Sequence, residues 1–287
     1  MTRLLSPLRY PGGKSKLFRF LSSVIYENSL NGCTYIEPYA GGSGLALALL
    51  GAGWVSKITL NDADPIIYKF WKSVLGNSDE LCKLVSDTPV TLETWYKQKE
   101  VIENASEHDD LEIGFATFFL NRTNRSGIIK GAGVIGGYSQ KGNYLIDARY
   151  YRETMINRIE AIAKISGKIK FFNKDAIAFC GTHVSGKNTL TYLDPPYYEK
   201  GHRLYRNFYK PSDHLTVQNM VRDKLKGHWV VSYDNAPEIR AIYDDFRPLI
   251  YTIPHTATVR RQGQEAIFFS DDLIIPDVSK PMVRMAA

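Results

Sequence analysis

Cysteine is scarce: the 287 residues hold three, Cys33, Cys82 and Cys180. They lie far apart and form no CxxC pair or Cys/His cluster. A disulfide framework and a metal site are therefore not expected, and the thiols read as reduced and buried in a cytoplasmic protein. Long hydrophobic runs are also missing. The chain reaches Pro11-Gly12-Gly13 before any apolar segment is long enough for a signal peptide, and no transmembrane stretch or membrane partner is expected. There are no internal repeats or low-complexity segments. Gly13-Lys14-Ser15 is not a phosphate-binding P-loop, because Leu8 stands where that loop needs a glycine and no strand precedes it. The glycine turn at Gly41-Gly42-Ser43-Gly44 is not spaced as G-x-G-x-x-G with a late acid, which disfavours a nicotinamide cofactor.

What is present is an ordinary globular composition, 44% apolar and 23% charged, with a net charge of +6 that leans toward a polyanionic partner. The length suits one large domain, or one domain with an insertion. Strand, glycine turn and helix follow one another at Thr34-Tyr35-Ile36-Glu37-Pro38-Tyr39-Ala40-Gly41-Gly42-Ser43-Gly44, then Leu45 to Leu50. Glycines there let a ligand approach the backbone closely. A second strand, Lys57 to Asn61, ends in Asp62-Ala63-Asp64-Pro65. Asp64 reads as the cap of the helix opening at Pro65, and Asp62 as an acceptor for ribose hydroxyls. Arg9-Tyr10-Pro11-Gly12-Gly13-Lys14 leads into a helical pattern from about Lys14 to Tyr26, a plain turn or a seat for an anionic group.

From Tyr68 to Lys164 the strand rhythm gives way to helical patterns, Glu80–Val85, Leu92–Ile102 and Leu111–Leu120. The basic, glycine-rich stretch from Asn121 to Lys141 follows, suited to phosphates and base edges or simply to solvent. Strands return at Lys168–Asn173, Thr189–Leu193, His228–Ser232, Leu249–Ile253 and Ala266–Phe269, with a helix near Ser212–Leu225. Alternating strands and helices predict an α/β core with a mainly parallel sheet, whose ligands sit beyond the carboxyl ends of the strands. Glu37, Asp62, Asp175 and Asp194 all fall at such ends.

The central stretch is Leu193-Asp194-Pro195-Pro196-Tyr197-Tyr198. A carboxylate closing a buried strand is costly unless it is compensated. The prolines stiffen the turn, remove donors and leave carbonyl acceptors. Acceptors beside an aromatic face suit a planar ring bearing an NH2 group. Adenine N6 and cytosine N4 in DNA, an RNA base and a protein glutamine amide all meet that description. A binding module that has lost catalysis is the alternative from another class. No cysteine follows a proline, so covalent attack on a cytosine ring has no nucleophile here.

Together these segments resemble the Dam-like family of DNA adenine-N6 methyltransferases, which use S-adenosylmethionine. The residues that carry the resemblance are Arg9 to Lys14, Glu37 to Gly42, Asn61-Asp62, Asn121-Arg122 with Gly127, Asp175, and Asp194 to Tyr197. The resemblance implies a Rossmann-like methyltransferase sheet formed by residues 1–67 and 166–287, with a mostly helical target-recognition domain inserted at 68–165. It implies that Tyr10, Pro11, Gly12, Gly13 and Lys14 hold the methionine end of the cofactor. Glu37, Pro38, Tyr39, Ala40, Gly41, Gly42 and Ser43 would wrap it, Asp62 would bind its ribose, and Asp175 and Ala176 would lie near its adenine. Asp194, Pro195, Pro196 and Tyr197 would hold the target adenine of double-stranded DNA, which flips out to reach them. Asn121, Arg122, Asn124, Arg125, Ser126, Lys130, Tyr138 and Lys141 would touch DNA, with a reading hairpin at about Asn124 to Tyr144. Tyr198, Arg203, Arg260 and Arg261 are further DNA candidates. GATC-reading members carry an aromatic and an Asn before the glycine matching Gly127; here Arg125 and Ser126 stand there, so that target is not carried over. A restriction endonuclease partner and a monomer or weak dimer complete the expectation.

Overall fold

Local chemistry starts and stops the helices much as the sequence predicts. The computed structural model describes residues 5–10, 14–183, 186, 188–198, 209–253, 263–277 and 282–284. A 3-10 turn at Lys14–Leu17 precedes α1 (Phe18–Glu27). α2 (Gly44–Gly51) follows the glycine turn. α3 (Pro65–Gly76) has proline in its first turn, and the Asp64 side chain accepts from the Ile66 N–H. Such a cap stabilises a helix by about 1 kcal/mol. Next come α4 (Ser78–Asp87), α5 (Leu92–Glu103), capped by Thr91, and α6 (Asp110–Thr123), opened by an Asp109/Glu112 capping box. α7 (Arg152–Ala163), α8 (Ala176–His183), α9 (Pro211–Asp223) and α10 (Pro237–Ile242) complete the described helices.

The strands are β1 (Cys33–Glu37), β2 (Val55–Asn61), β3 (Ile169–Phe172), β4 (Thr189–Leu193), β5 (His228–Asp234), β6 (Leu249–Ile253), β7 (Gly263–Phe269) and β8 (Val283–Arg284). They form one sheet in the order β3-β2-β1-β4-β5-β7-β6-β8. The first five are parallel, and β7, β6 and β8 add an antiparallel edge. This is the Rossmann-like arrangement expected. The strand order reverses between β1 and β4, and such a switch point opens a crevice at the carboxyl ends. Glu37 closes β1 at that point, and Asp194 follows β4 directly.

Two apolar clusters cover the sheet. One joins Ile36, Leu193, Val231 and Phe268 to α8, α9 and α10. The other runs without a break from α1 and α2 through Trp71, Trp95, Phe118 and Ile159. The helical insertion therefore shares its core with one face of the sheet. The expected boundary at 67/68 falls inside α3, which carries the chain from β2 into the insertion.

The expected hairpin from Asn124 to Tyr144 is corrected. The described pairing there is a single antiparallel bridge, Asn124 to Val134. Ser126, Gly127, Gly131, Gly136, Gly137 and Gln140 all take positive φ, which curls the chain where a strand would have to extend. The Gln140 side chain ties the curl together: its amide donates to Ile135 O and Gly137 O, and its oxygen accepts from Ile146 N.

Candidate active site

A cavity of about 550 Å3 opens at the switch point, lined among others by Tyr10, Lys14, Glu37, Pro38, Tyr39, Ala40, Gly42, Ser43, Asp62, Asp175, Ala176, Asp194 and Pro196. Ends of β1, β2, β3 and β4 thus converge on one space. Asn61 draws them together, donating to Pro38 O and Lys174 O while accepting from Lys174 N. The glycine turn is fixed from both sides. Gly41 N donates to Asp62 Oδ2 at 2.8 Å, and Trp71 Nε1 donates to Gly41 O at 2.9 Å. The Tyr10 ring lies on this turn so closely that a Cβ on Gly41 would come within 2.5 Å of it.

Three acids in the cavity are hard to ionise. Burial pushes the Glu37 carboxyl up to about 8; Tyr35 donates to its Oε1, and Oε2 has no partner among the described residues. Burial raises Asp62 to about 6 against the amides of Asp64 and Gly41, which favour its charged form. Asp175 is used differently: its Oδ1 caps α8 by accepting from Ile177 N and Ala178 N.

Asp194 is also raised to about 6, by burial first; Lys14 opposes that shift and Glu265 adds to it. Its Oδ1 accepts from Ser232 Oγ at 2.9 Å and lies 3.2 Å from Lys14 Nζ. Neither bond uses Oδ2, and the side chain keeps 17% exposure. Lys14 Nζ also pairs with Glu265 Oε2 at 3.3 Å and donates to Tyr197 Oη. Burial alone would lower the lysine, but the two carboxylates outweigh it and raise it. Glu265 is the hub: Tyr197 Oη donates to its Oε1 at 2.8 Å and Tyr251 Oη to its Oε2. Burial would raise its carboxyl, yet Lys14 and the two phenols bring it below the ordinary value.

Several expected residues sit elsewhere. Lys14, expected at the methionine end of a cofactor, does line the cavity, with its Nζ bound between Asp194 and Glu265. Pro195 and Tyr197 are buried and do not line the cavity. Tyr197, expected to offer a ring face to a base, is 8% exposed with its hydroxyl anchored. Tyr198 is half-buried, its N–H on Asp234 and its ring 5.2 Å from His214. Asn121, Arg122 and Asn124, expected at DNA, are all buried. Asn121 accepts from Arg9 N and donates to Arg9 O and Gly127 O, so it holds the arm that carries Tyr10. Gly127 has φ +75°, and a Cβ added there would come within 2.8 Å of that same Arg9 carbonyl. Asn124 accepts from Trp95 Nε1 and donates to Ile128 O and Ile129 O; Arg122 Nε donates to Arg149 O. Arg125, Ser126, Lys130, Tyr138 and Lys141 are on the surface. Pro11, Gly12, Gly13, Arg203, Arg260 and Arg261 lie outside the described residues.

The sequence reading missed Glu265, Ser232, Trp71 and Arg158. Glu265 had a signal, an acid set directly before the apolar run Ala266–Phe269. Ser232 and Trp71 read as ordinary strand and core residues, with nothing local to single them out.

A family model described as D12 class N6 adenine-specific DNA methyltransferase matches residues 10–261. The chain is similar to Type II methyltransferase M.MjaIII of Methanocaldococcus jannaschii, 22% identical over 205 residues that span 66% of this chain and 68% of the relative. Among solved structures it overlaps YhhF of Escherichia coli, described as a candidate methyltransferase, at 12% identity and TM-score 0.38, covering 91% of this chain and 90% of that one. A candidate RNA methyltransferase of Pyrococcus horikoshii overlaps at 12% identity and TM-score 0.41, covering 92% and 84%. The fold assignment rests on the strand order, not on these distant overlaps.

Proposed function

The chain belongs to the D12 class of N6 adenine-specific DNA methyltransferases, and we propose on that premise that it acts on duplex DNA at a defined sequence, turning the target base out of the helix. It methylates the N6 amino group of adenine in DNA and uses S-adenosylmethionine as its cofactor. The lining of the cavity suits that cofactor. The Gly41–Gly42 turn, having no Cβ atoms, lets the Tyr10 ring lie against it at the cavity wall. The unpartnered Glu37 Oε2 suits an ammonium group, and Asp62 keeps acceptor capacity for ribose hydroxyls beside its two amide donors. When bound, S-adenosylmethionine supplies an electrophilic methyl group.

The single observation that carries the assignment of roles is that Asp194 shares the cavity with the glycine turn, with Oδ1 held and Oδ2 open. In our reading Oδ2 accepts one N6–H bond of the adenine, and the Pro195 carbonyl, which lies outside the cavity lining, accepts the other from the side where the base enters. The amino lone pair, conjugated into the ring and a poor nucleophile, is then drawn toward tetrahedral geometry. This is positioning and electrostatics without a covalent enzyme intermediate. The nitrogen turns acidic as it gains a substituent, so its proton leaves to water or to Asp194 Oδ2. Lys14 and Ser232 hold the orientation of Asp194, and Glu265 fixes Lys14 and Tyr197 in turn. Turning the base out costs roughly a few kcal/mol, offset by contacts in the pocket.

The same reading has the protein working as a monomer or weak dimer in the cytoplasm, paired with a restriction endonuclease of the same target sequence. No helix among the described residues is long and apolar enough to cross a membrane. The test is transfer of labelled methyl groups to mixed-sequence duplex DNA, followed by nucleoside analysis. N6-methyladenine confined to one sequence context supports the reading. Label on single strands alone removes the duplex, and label on cytosine N4 removes the base.

A further inference from the structure

Beside the arm that carries Tyr10, four arginines crowd together: Arg9, Arg122, Arg149 and Arg158. Arg9 Nη1 donates to Asn124 O at 3.2 Å. Arg122 Nε donates to Arg149 O at 2.6 Å, and Arg149 Nη1 donates to Tyr151 Oη at 3.0 Å. The Tyr151 ring also covers Arg122, whose Cζ lies 5.8 Å from its centroid. Arg158 Nη1 holds the arm through Ser6 O.

Among the described residues, no ion pair involves Arg9, Arg122 or Arg149. Their neighbours are carbonyls, a phenol and one another. Burial lowers Arg122 to about 10, and Arg9 and Arg158 push the same way; burial and then Arg149 lower Arg9. A group of cations that repel each other, one of them buried, is a standing field for an anion. The group is graded in depth, with Arg122 buried, Arg9 half-buried and Arg149 exposed. Tyr151, which binds two of the arginines, is a non-glycine residue at φ +43°, a conformation kept only where its surroundings fix it.

We propose that Arg149, backed by Arg9 and the buried Arg122, is a seat for a backbone phosphodiester of the DNA substrate. The proposal rests on the DNA-methylating reading above. A cofactor carboxylate is the other anion within reach, and Arg158 of the group lines the cavity, but neither Arg9, Arg122 nor Arg149 does. Arg149 faces solvent, where a strand backbone passes and a bound cofactor does not. A guanidinium fork suits two phosphate oxygens. Arg9 directly precedes Tyr10, so a phosphate held there belongs to the stretch of strand nearest the cavity.

Arg149→Gln tests this by duplex binding over a salt series, with cofactor binding measured in parallel. The side chain is exposed, and Arg122 bonds only to its backbone carbonyl, so the fold survives the change. The log–log salt slope should fall by about 0.9, the share of one phosphate contact, with cofactor affinity unchanged. Arg149→Lys should restore most of the slope. Arg222→Gln, a change in a cation already paired with Asp223 and Asp245, should leave it alone. An unchanged slope in Arg149→Gln overturns the seat, and a loss of cofactor affinity in its place assigns the cluster to the cofactor. If the wild-type protein itself shows no salt-dependent DNA binding, the underlying DNA reading fails first.

Discussion

Asp194 stays ionised at neutral pH only through its neighbours. Burial pushes its carboxyl up to about 6, and Lys14 and Ser232 keep it from rising further. Asp194→Asn keeps the shape but loses the charged acceptor. Methyl transfer in single turnovers should drop about a hundred- to a thousand-fold, as for other preorganised electrostatic groups, while cofactor binding persists. Transfer at wild-type rate would remove Asp194 from the reaction. Glu265 raises the Asp194 carboxyl and shares the Lys14 ammonium with it. Glu265→Gln removes that like charge, so the acid limb of the pH–rate profile, expected near 6, should move to lower pH. A limb that stays in place would mean that Glu265 only supports the fold. Glu37 has a different signature. Its carboxyl is neutral below about 8, so a cationic cofactor should bind more tightly as pH rises from 6 to 8. Equilibrium titration of Glu37→Gln should show that rise abolished.

The arm at residues 5–10 has little regular structure and is held from outside. Asn121 of α6 takes both backbone groups of Arg9, much as a neighbouring strand would, and Arg158 of α7 takes Ser6 O. The insertion thereby sets where the Tyr10 ring lies on the glycine turn. Asn121→Ala leaves buried partners unsatisfied, at roughly 1–3 kcal/mol for each group. The expected outcome is a lower melting temperature together with about tenfold weaker cofactor binding. Destabilisation with unchanged cofactor affinity would show that the arm and the turn are independent.

Taken as a whole, the molecule carries a cavity of acids that prefer protons. Asp62 and Asp194 at about 6 and Glu37 at about 8 all lie above their ordinary carboxyl values. A raised folded value adds stability that is fully present below the unfolded value and is lost as pH rises through the folded one. These three groups therefore make the cofactor-free protein lose stability as pH rises between about 4 and 8. Glu265 works in the opposite sense, since its lowered carboxyl contributes stability above its ordinary value and loses it in acid. Melting curves from pH 5 to 9 should show the fall. Saturating cofactor should lift the curve, by about 2.7 kcal/mol at a hundred times its Kd, and flatten the fall as its affinity rises with the ionisation of Glu37.

Much of this protein was legible from local pattern. Strand ends carrying Glu37, Asp62 and Asp194, the Gly41–Gly42 turn, the Asp64 cap and the run of helices from Pro65 to Thr123 all depend on neighbours a few residues apart. Hydrophobic period and capping chemistry express themselves over that span, so the sequence alone determined most of the elements, their order and an α/β class with a mainly parallel sheet, while the Rossmann-like assignment came through the family resemblance. Burial was not determined in this way. Asn121, Arg122 and Asn124 have the composition of a DNA-facing loop, yet the packing of α5, α6 and the arm turns them inward. Nor was partnership. Lys14 and Glu265 are separated by 251 positions and meet only because β7 runs antiparallel beside β5. The tertiary structure decided which acid stands beside which base, because a buried charge is satisfied by whatever the folded chain brings within about 3 Å, and no local rule records that distance.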